Sequence, residues 1–302
     1  MTLTSDLTDV MKSIKNHPVA TLVAAFVRLW TFRLGFRGCG KLIVIVKRLC
    51  PGIQRYYLEY PGLGRCDIAF LDFAWLGQRT LGPIEEKSLL ERLILLVPPA
   101  AVVWNVGANS GFLGAELLLQ LQPARLELFE PNPTHRRTLE SLASLDSRVG
   151  VHMIGLSDKA MECILYVPGR EGSGSSSASV DVNLVSDASA WHETGVRLEV
   201  ADTLLNDGLV AAPDLVVIDV EGHEVSVMGG MTEILRKHRP IVALEHIFIS
   251  DEAMQHLTPA EYTVFTVCDD DARLVPGVHR SLGHNSVLFP NERIPGGRSE
   301  KK

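Results

Sequence analysis

Apolar residues along this chain recur at two different spacings, and segments of the two kinds alternate. Short runs rich in valine, isoleucine and leucine predict buried strands at 102–106, 126–130, 149–154, 215–218 and 241–244. Between them, apolar residues at three- and four-residue steps predict helices over 112–121 and 227–235. This alternation predicts an α/β fold built on a doubly wound, largely parallel sheet.

Two later strands are predicted at 262–267 and 286–289, with only a loop between them. A parallel pair needs a longer crossover connection, usually a helix. We therefore expect the last strand of the sheet to be antiparallel to its neighbour.

The first 80 residues follow a different pattern. Between residues 19 and 34 apolar side chains recur at helical spacing, but Arg28 and Arg33 interrupt them, so the run is too charged for a membrane span. Glycine and proline recur over 35–65 and predict a loop-rich connector. We therefore predict an N-terminal helical and loop extension over residues 1–80 and a main domain over residues 81–302.

Charge is unevenly distributed along the chain. The net charge of −7 argues against nucleic acid as the main partner. Residues 1–50, however, hold eight lysines and arginines against two aspartates. We favour a helix pair that packs on the domain and keeps its basic side chains in solvent. The alternative is a basic amphipathic element in peripheral contact with an anionic membrane surface.

The cysteines carry no sign of a metal site. All five are scattered and none forms a C-x-x-C pair, so neither a zinc site nor a disulfide framework is indicated. A reducing cytoplasm is therefore the expected compartment. The acids after the later strands offer an alternative site for a divalent cation, but they match no ligand-spacing motif, and we predict no bound metal.

The sharpest chemical signal is a glycine turn between a strand and a helix. Gly107 and Gly111 flank this turn, where the backbone can come close to a ligand at the helix N-terminus. Glu130 ends the next strand, 23 residues after Gly107, where an acid can accept hydrogen bonds from ribose hydroxyls. A dinucleotide fingerprint would have glycine where this chain has Asn109. The pattern therefore favours a smaller nucleoside cofactor and disfavours a dehydrogenase.

Three motifs together resemble the FkbM-type methyltransferases. They are Trp-Asn-Val-Gly-Ala-Asn-Ser-Gly at 104–111, Leu-Phe-Glu-Pro-Asn-Pro at 128–133 and Ile-Asp-Val-Glu-Gly-His-Glu at 218–224. The resemblance covers roughly residues 80–290. It implies a Rossmann-like class I methyltransferase that uses S-adenosyl-L-methionine, usually to methylate a hydroxyl oxygen. The implied acceptors are small molecules, glycans or lipids, such as sugars, glycolipids and polyketide or peptide natural products.

The resemblance and the strand ends together suggest the cofactor-binding residues. They are Asn105, Gly107, Ala108, Asn109, Ser110, Gly111, Glu130, Pro131, Asn132, Ser157, Asp158 and Asp219. The family usually has aspartate where this chain has Asn105, which would lower cofactor affinity if that side chain contacts the cofactor. The alternative function is therefore a degenerate methyltransferase fold that acts as a non-catalytic binding or assembly module.

Candidates for catalysis follow the fourth and fifth strands of the main domain. Ligands bind at the carboxyl ends of strands in such sheets, which favours Asp219, Glu221 and His246. Asp219 could instead hold the turn, and His246 could be a hydrogen-bonded core histidine. Glu224 has two readings of equal weight, a functional acid and an ordinary first-turn acid favoured by the helix dipole. No motif specifies the methyl acceptor.

Overall fold

The computed structural model describes residues 55–60, 62–69, 87–168, 178–180 and 191–294 of the chain. The predicted amphipathic segment within residues 1–50 lies outside these ranges. Among the helices in the described ranges, none is both long enough and apolar enough to cross a bilayer.

The secondary structure alternates along the main domain as the apolar spacing predicts. The strands are β1 (Arg55–Tyr60), β2 (Gly64–Ala69), β3 (Val102–Val106), β4 (Arg125–Phe129), β5 (Val149–His152), β6 (Gly155–Leu156), β7 (Met161–Pro168), β8 (Trp191–Glu199), β9 (Leu215–Ile218), β10 (Ile241–Glu245), β11 (Tyr262–Val267), β12 (Leu274–Pro276) and β13 (Asn285–Pro290). The helices are α1 (Lys87–Leu96), α2 (Phe112–Leu121), α3 (Arg136–Leu145), α4 (Ala201–Asn206), α5 (Glu224–Gly229), α6 (Thr232–Lys237) and α7 (Asp251–Leu257).

Eight strands form the central sheet, in the order β12-β11-β13-β10-β9-β3-β4-β5. Strands β10, β9, β3, β4 and β5 run parallel to one another, whereas β13 lies antiparallel between β10 and β11. The chain order reverses at β3, which pairs with β4 on one side and β9 on the other. The predicted Rossmann-like fold with an antiparallel last strand is therefore confirmed.

Side chains of the central strands bury into two apolar layers, one on each face of the sheet. Val103 and Val217 belong to the same layer as Leu117 of α2. Trp104 and Val216, one position away on β3 and β9, belong to the opposite layer. Because successive side chains of a strand point to opposite faces, a strand buried on both sides is an unbroken apolar run.

The hairpin of β1 and β2 departs from the prediction of a loop over 35–65. Its strands are antiparallel, and Tyr60 and Cys66 are part of the core layer beside α2. The backbone N–H of Asp67 donates to Ser141 Oγ at 2.8 Å, and Arg137 Nε lies 2.6 Å from Asp67 Oδ2. The described part of the N-terminal extension therefore packs on α3 of the main domain.

The single helix predicted over 227–235 is two short helices. Gly230 separates α5 from α6, and a Cβ at this position would lie 2.0 Å from the carbonyl oxygen of Ser157. The break lets the chain pass close to the loop after β6. Helix α7 was not predicted, although Ser250 Oγ accepts from Ala253 N at 3.1 Å as an N-cap.

Candidate functional site

A cavity lies at the carboxyl ends of β3, β4 and β9, where the strand order reverses. This first cavity encloses about 590 Å³ of empty space, part of it open to solvent. Its walls are the glycine turn, the start of the loop after β4, the loop after β9, and apolar side chains of the small sheet β6-β8-β7. Ligands of doubly wound sheets bind at such a reversal point.

The glycine turn packs so closely against the end of β9 that Gly107 has no space for a side chain. Gly107 has a φ of +85°, and a Cβ built on it would lie 1.8 Å from the carbonyl oxygen of Asp219. The N–H groups of Gly107 and Ala108 both donate to the carbonyl of Phe129 at 2.9 Å. The turn is therefore fixed to both neighbouring strands and brings bare backbone to the cavity wall.

Glu130 presents a buried carboxylate to the first cavity. Its Oε2 accepts from Asn109 N and its Oε1 from Asn132 N, each at 2.7 Å. Burial raises the pKa of Glu130 to about 7, against the opposing effect of these two N–H donors, and the negative charge of Asp219 raises it further. A carboxylate so placed can accept hydrogen bonds from a ribose, so the residues present fit a nucleoside cofactor.

The raised pKa of Glu130 predicts a pH dependence of folding stability. In the folded state the carboxyl keeps its proton up to about pH 7, because its pKa is raised from the usual 4.5 to about 7. The folded state therefore loses stability as pH rises from 4.5 to 7, by about 3 kcal/mol at most. Glu130→Gln should flatten this slope in urea unfolding between pH 5 and 8. If the unfolding free energy of the variant showed the same pH dependence, the raised pKa of Glu130 would be contradicted.

Hydrogen bonds to the Glu224 side chain fix the conformation of the loop after β9. Glu224 is 1% exposed, and its Oε1 accepts from Val220 N at 3.3 Å and Gly222 N at 3.2 Å. Between these donors Glu221 has a φ of +52°, followed by Gly222 at +98°. Burial raises the pKa of Glu224, and its Oε2 has no hydrogen-bond partner among the described residues. Glu224 is thus a positioning residue for Glu221.

Substitutions of Glu224 should separate hydrogen bonding from charge. Glu224→Gln keeps a carbonyl oxygen for the two N–H groups, whereas Glu224→Ala leaves both of these partly buried groups without this acceptor. We expect the alanine variant to lose roughly 1–3 kcal/mol of unfolding free energy for each orphaned donor, and the glutamine variant much less. Urea unfolding measures both. Equal losses in the two variants would mean that these hydrogen bonds do not hold the loop.

Some predicted cofactor-binding residues line the first cavity and others lie behind its wall. Those on the wall are Gly107, Asn109, Glu130, Pro131 and Asp219. Those not on it are Asn105, Ala108, Ser110, Gly111, Asn132, Ser157 and Asp158. The buried Asn132 caps a turn, since its Oδ1 accepts from Thr134 N at 3.1 Å. Ser157 Oγ lies 3.0 Å from His223 Nε2 and donates to the exposed Asp158.

Asn105 lies inside the core instead of at the ligand surface. Its side chain is fully buried beneath α2, with the amide nitrogen 3.6 Å from where a Cβ of Gly114 would be. Neither amide atom has a hydrogen-bond partner among the described residues. Asn105 therefore does not reach the surface of the first cavity.

His246 does not lie over the cleft, which corrects its assignment as a catalytic candidate and agrees with the alternative of a hydrogen-bonded core histidine. The side chain is fully buried, with Nδ1 2.8 Å from Ser286 Oγ of β13. Burial lowers its pKa to about 4, and the positive charge of Arg280 lowers it further. It is not among the residues lining the first cavity or the second cavity described below. The structure therefore leaves Asp219 and Glu221 as the better-placed candidates for a base.

A second cavity adjoins the first at the ends of β9 and β10. It encloses about 930 Å³ of empty space, including space open to solvent. Asp219 and Glu221 line both cavities, so these two residues stand at the border between them. Among the described residues, no group of three or more His, Cys, Asp or Glu is arranged to hold a metal ion.

The apolar wall of the first cavity was not predicted from sequence. Leu156, Leu165 and Leu198 come from the small sheet, and Ala178 and Val180 lie beside them. The sequence offers only short apolar runs there, which are also typical of ordinary core strands. His223 also lines this cavity, although its sequence pattern favours an exposed turn residue.

Comparisons with known proteins match part of this chain. The family model "Methyltransferase FkbM domain" matches residues 105–270. The chain is 27% identical over 169 residues to "Hexuronic acid methyltransferase AglP" of Haloferax volcanii, which covers 53% of this chain and 62% of that protein. It is 30% identical over 183 residues to "AMB antimetabolite synthetase AmbE" of Pseudomonas aeruginosa, covering 50% of this chain and 9% of that protein. The alignments thus span less than two thirds of either relative.

One solved structure matches this chain at low sequence identity. It is the methyltransferase FkbM of Methylobacillus flagellatus, with 14% identity and a TM-score of 0.42. The match covers 71% of this chain and 54% of that one.

Proposed function

The chain belongs to the FkbM methyltransferase family, and from this premise we propose that it methylates a hydroxyl oxygen of a sugar-containing acceptor. Its cofactor is S-adenosyl-L-methionine. The observation that carries the proposal is the border between the two cavities, where Asp219 and Glu221 line both. One relative is named for a hexuronic acid, which supports a sugar acceptor.

The first cavity suits the cofactor. S-adenosyl-L-methionine supplies an already activated methyl group on a positively charged sulfur. Glu130 would accept hydrogen bonds from the ribose, and the bare backbone of Gly107 would leave room for close approach. The carboxylate of Asp219, on the same wall, favours a positively charged ligand. These residues bind and orient the methyl donor.

The second cavity would hold the acceptor against the first. Holding two reactants in line supplies several kcal/mol toward the barrier of a displacement. A hydroxyl oxygen also becomes a better nucleophile when a base accepts its proton. We assign this role to Glu221, because it lines both cavities and its backbone is held in a left-handed conformation by Glu224. Asp219 then contributes negative charge beside the donor.

A methyl-transfer assay tests the proposal. The full-length protein is incubated with methyl-labelled S-adenosyl-L-methionine and a set of simple glycosides, and products are read by NMR. We expect a new O-methyl signal on a sugar ring. Methylation of nitrogen or carbon, or no transfer to any hydroxyl by a protein that binds the cofactor in calorimetry, would refute O-methylation. The second result would favour a binding or assembly module.

A further inference from the structure

A three-residue segment connects the wall of the first cavity to the loop after β9. Ala178 and Val180 are among the residues that line this cavity. Between them Ser179 is buried, with 3% of its surface exposed, and its Oγ donates to the backbone carbonyl of Glu221 at 3.0 Å. The segment 178–180 therefore borders the space for the cofactor and also contacts the residue to which we assign the role of base.

The segment is itself anchored to strand β7 of the small sheet. The N–H of Ser179 donates to the carbonyl of Tyr166 at 3.1 Å, and the N–H of Tyr166 donates to the carbonyl of Ser179 at 2.9 Å. Strand β7 in turn pairs with β8 from Met161 to Pro168, which is its whole length. The two bonds to Tyr166 use only backbone atoms, so they do not depend on the Ser179 hydroxyl.

The peptide unit between Glu221 and Gly222 is held at both ends. Its carbonyl accepts from Ser179 Oγ, and its N–H donates to Glu224 Oε1 at 3.2 Å. Glu221 has a φ of +52°, and a non-glycine residue keeps such a conformation only where its surroundings fix it. Gly222 has no Cβ, so sterics alone would let this peptide unit rotate. The two hydrogen bonds therefore select its orientation.

We propose that Ser179 is a positioning residue for Glu221, which it keeps at the border of the two cavities by holding the Glu221 carbonyl. The inference rests on the proposed function, since it takes Glu221 as the base. Ser179 acts on the carbonyl side of the peptide unit and Glu224 on the N–H side. Because Ala178 and Val180 line the first cavity, a cofactor bound there packs against the same segment and favours the same arrangement.

Substitutions of Ser179 test the proposal by kinetics. Ser179→Ala removes the hydroxyl and keeps both backbone bonds to Tyr166. We expect kcat to fall roughly 10- to 100-fold, because a displaced base loses its alignment with the acceptor. Affinity for S-adenosyl-L-methionine should stay nearly unchanged in calorimetry. Ser179→Thr retains a hydroxyl and should keep most of the kcat, which is measured with the glycoside that the methyl-transfer assay turns over best.

A matched control removes a similar hydrogen bond elsewhere. Ser144 Oγ donates to the carbonyl of Ser141 at 2.7 Å in α3, and Ser144 lines neither cavity. Ser144→Ala should therefore have a normal kcat, and urea unfolding checks that all three variants fold. If Ser179→Ala lost cofactor affinity by the same factor as kcat, Ser179 would serve the cavity wall alone, and the inference would be overturned.

A double variant shows whether Ser179 acts through Glu221. In the Glu221→Gln background the base is already absent, so adding Ser179→Ala should lower the single-turnover rate by less than about twofold. The same substitution should cost its full factor in the native background. An equal cost in both backgrounds would mean that Ser179 affects the reaction by another route, and would contradict the proposal.

Hydrogen exchange separates this inference from the proposed function. In the full-length protein with S-adenosylhomocysteine, Ser179→Ala should speed amide exchange over residues 220–222 several-fold, and Ser144→Ala should not. Faster exchange in a protein that methylates no glycoside would support the role of Ser179 in fixing this loop and count against O-methylation. Unchanged exchange would overturn the inference, whether or not methyl transfer is observed.

Discussion

We expect Gly107→Ala to lower cofactor affinity by roughly 100-fold, about 2.8 kcal/mol of binding free energy, because the added Cβ forces two walls of the first cavity apart. A Cβ at this position would lie 1.8 Å from the carbonyl oxygen of Asp219, so the turn and the end of β9 must separate. That movement displaces two walls of the first cavity together. Calorimetry with S-adenosyl-L-methionine measures the loss.

The same substitution should also destabilise the fold. A left-handed conformation costs a non-glycine residue about 1–2 kcal/mol, and the backbone clash adds to this cost. Gly208→Ala is the matched control, since Gly208 has a φ of +69° and no atom within 4 Å of its built Cβ. The control should show the conformational cost in urea unfolding and normal cofactor binding. A Gly107→Ala variant that still binds normally would place the cofactor elsewhere.

Glu221→Gln should lower kcat for methyl transfer by roughly 100- to 10,000-fold, the range typical of a lost general base. Glutamine keeps the size of the side chain and can occupy the same left-handed turn, but it cannot accept the hydroxyl proton at neutral pH. Affinity for S-adenosyl-L-methionine should change little. Steady-state kinetics and calorimetry together separate these two effects.

Asp219→Asn is the comparison that assigns the base. Asp219 borders the same two cavities, and its charge acts on Glu130 across the first cavity. We expect its loss to weaken binding of the positively charged cofactor more than it lowers kcat. If Asp219→Asn instead gave the larger loss of kcat with unchanged affinity, the base would be Asp219 and not Glu221.

Local sequence patterns predicted most of the central sheet. The strand at 215–218 and the helix at 112–121 have the predicted bounds, because their apolar spacing reflects backbone geometry over only a few residues. Strand β1 was missed although its pairing with β2 is local, because the contacts that hold the hairpin on α3 come from residues 74 positions away in the chain. Short elements such as β12 also give too few residues to show a period.

The candidate site was predictable where the backbone itself forms it. Gly107 and Glu130 stand out because a turn without side-chain space and an acid at a strand end have fixed spacing in the chain. Asn105 and His246 were misplaced because a strand end exposes some side chains and buries their neighbours. Whether such a side chain is exposed or buried depends on the element packed over it. For Asn105 this element is α2, and for His246 it is β13.

The sequence by itself determined the fold class, the glycine turn after β3 and the acid that ends β4, since each follows from short-range spacing along one chain segment. The tertiary structure alone decided that Asp219 and Glu221 line two adjoining cavities, and that the second cavity is lined by both apolar and ionisable residues. Its lining comes from α1, α2, the loop after β10 and the start of β13. Such a surface depends on how distant elements pack, and no local period in the chain encodes it.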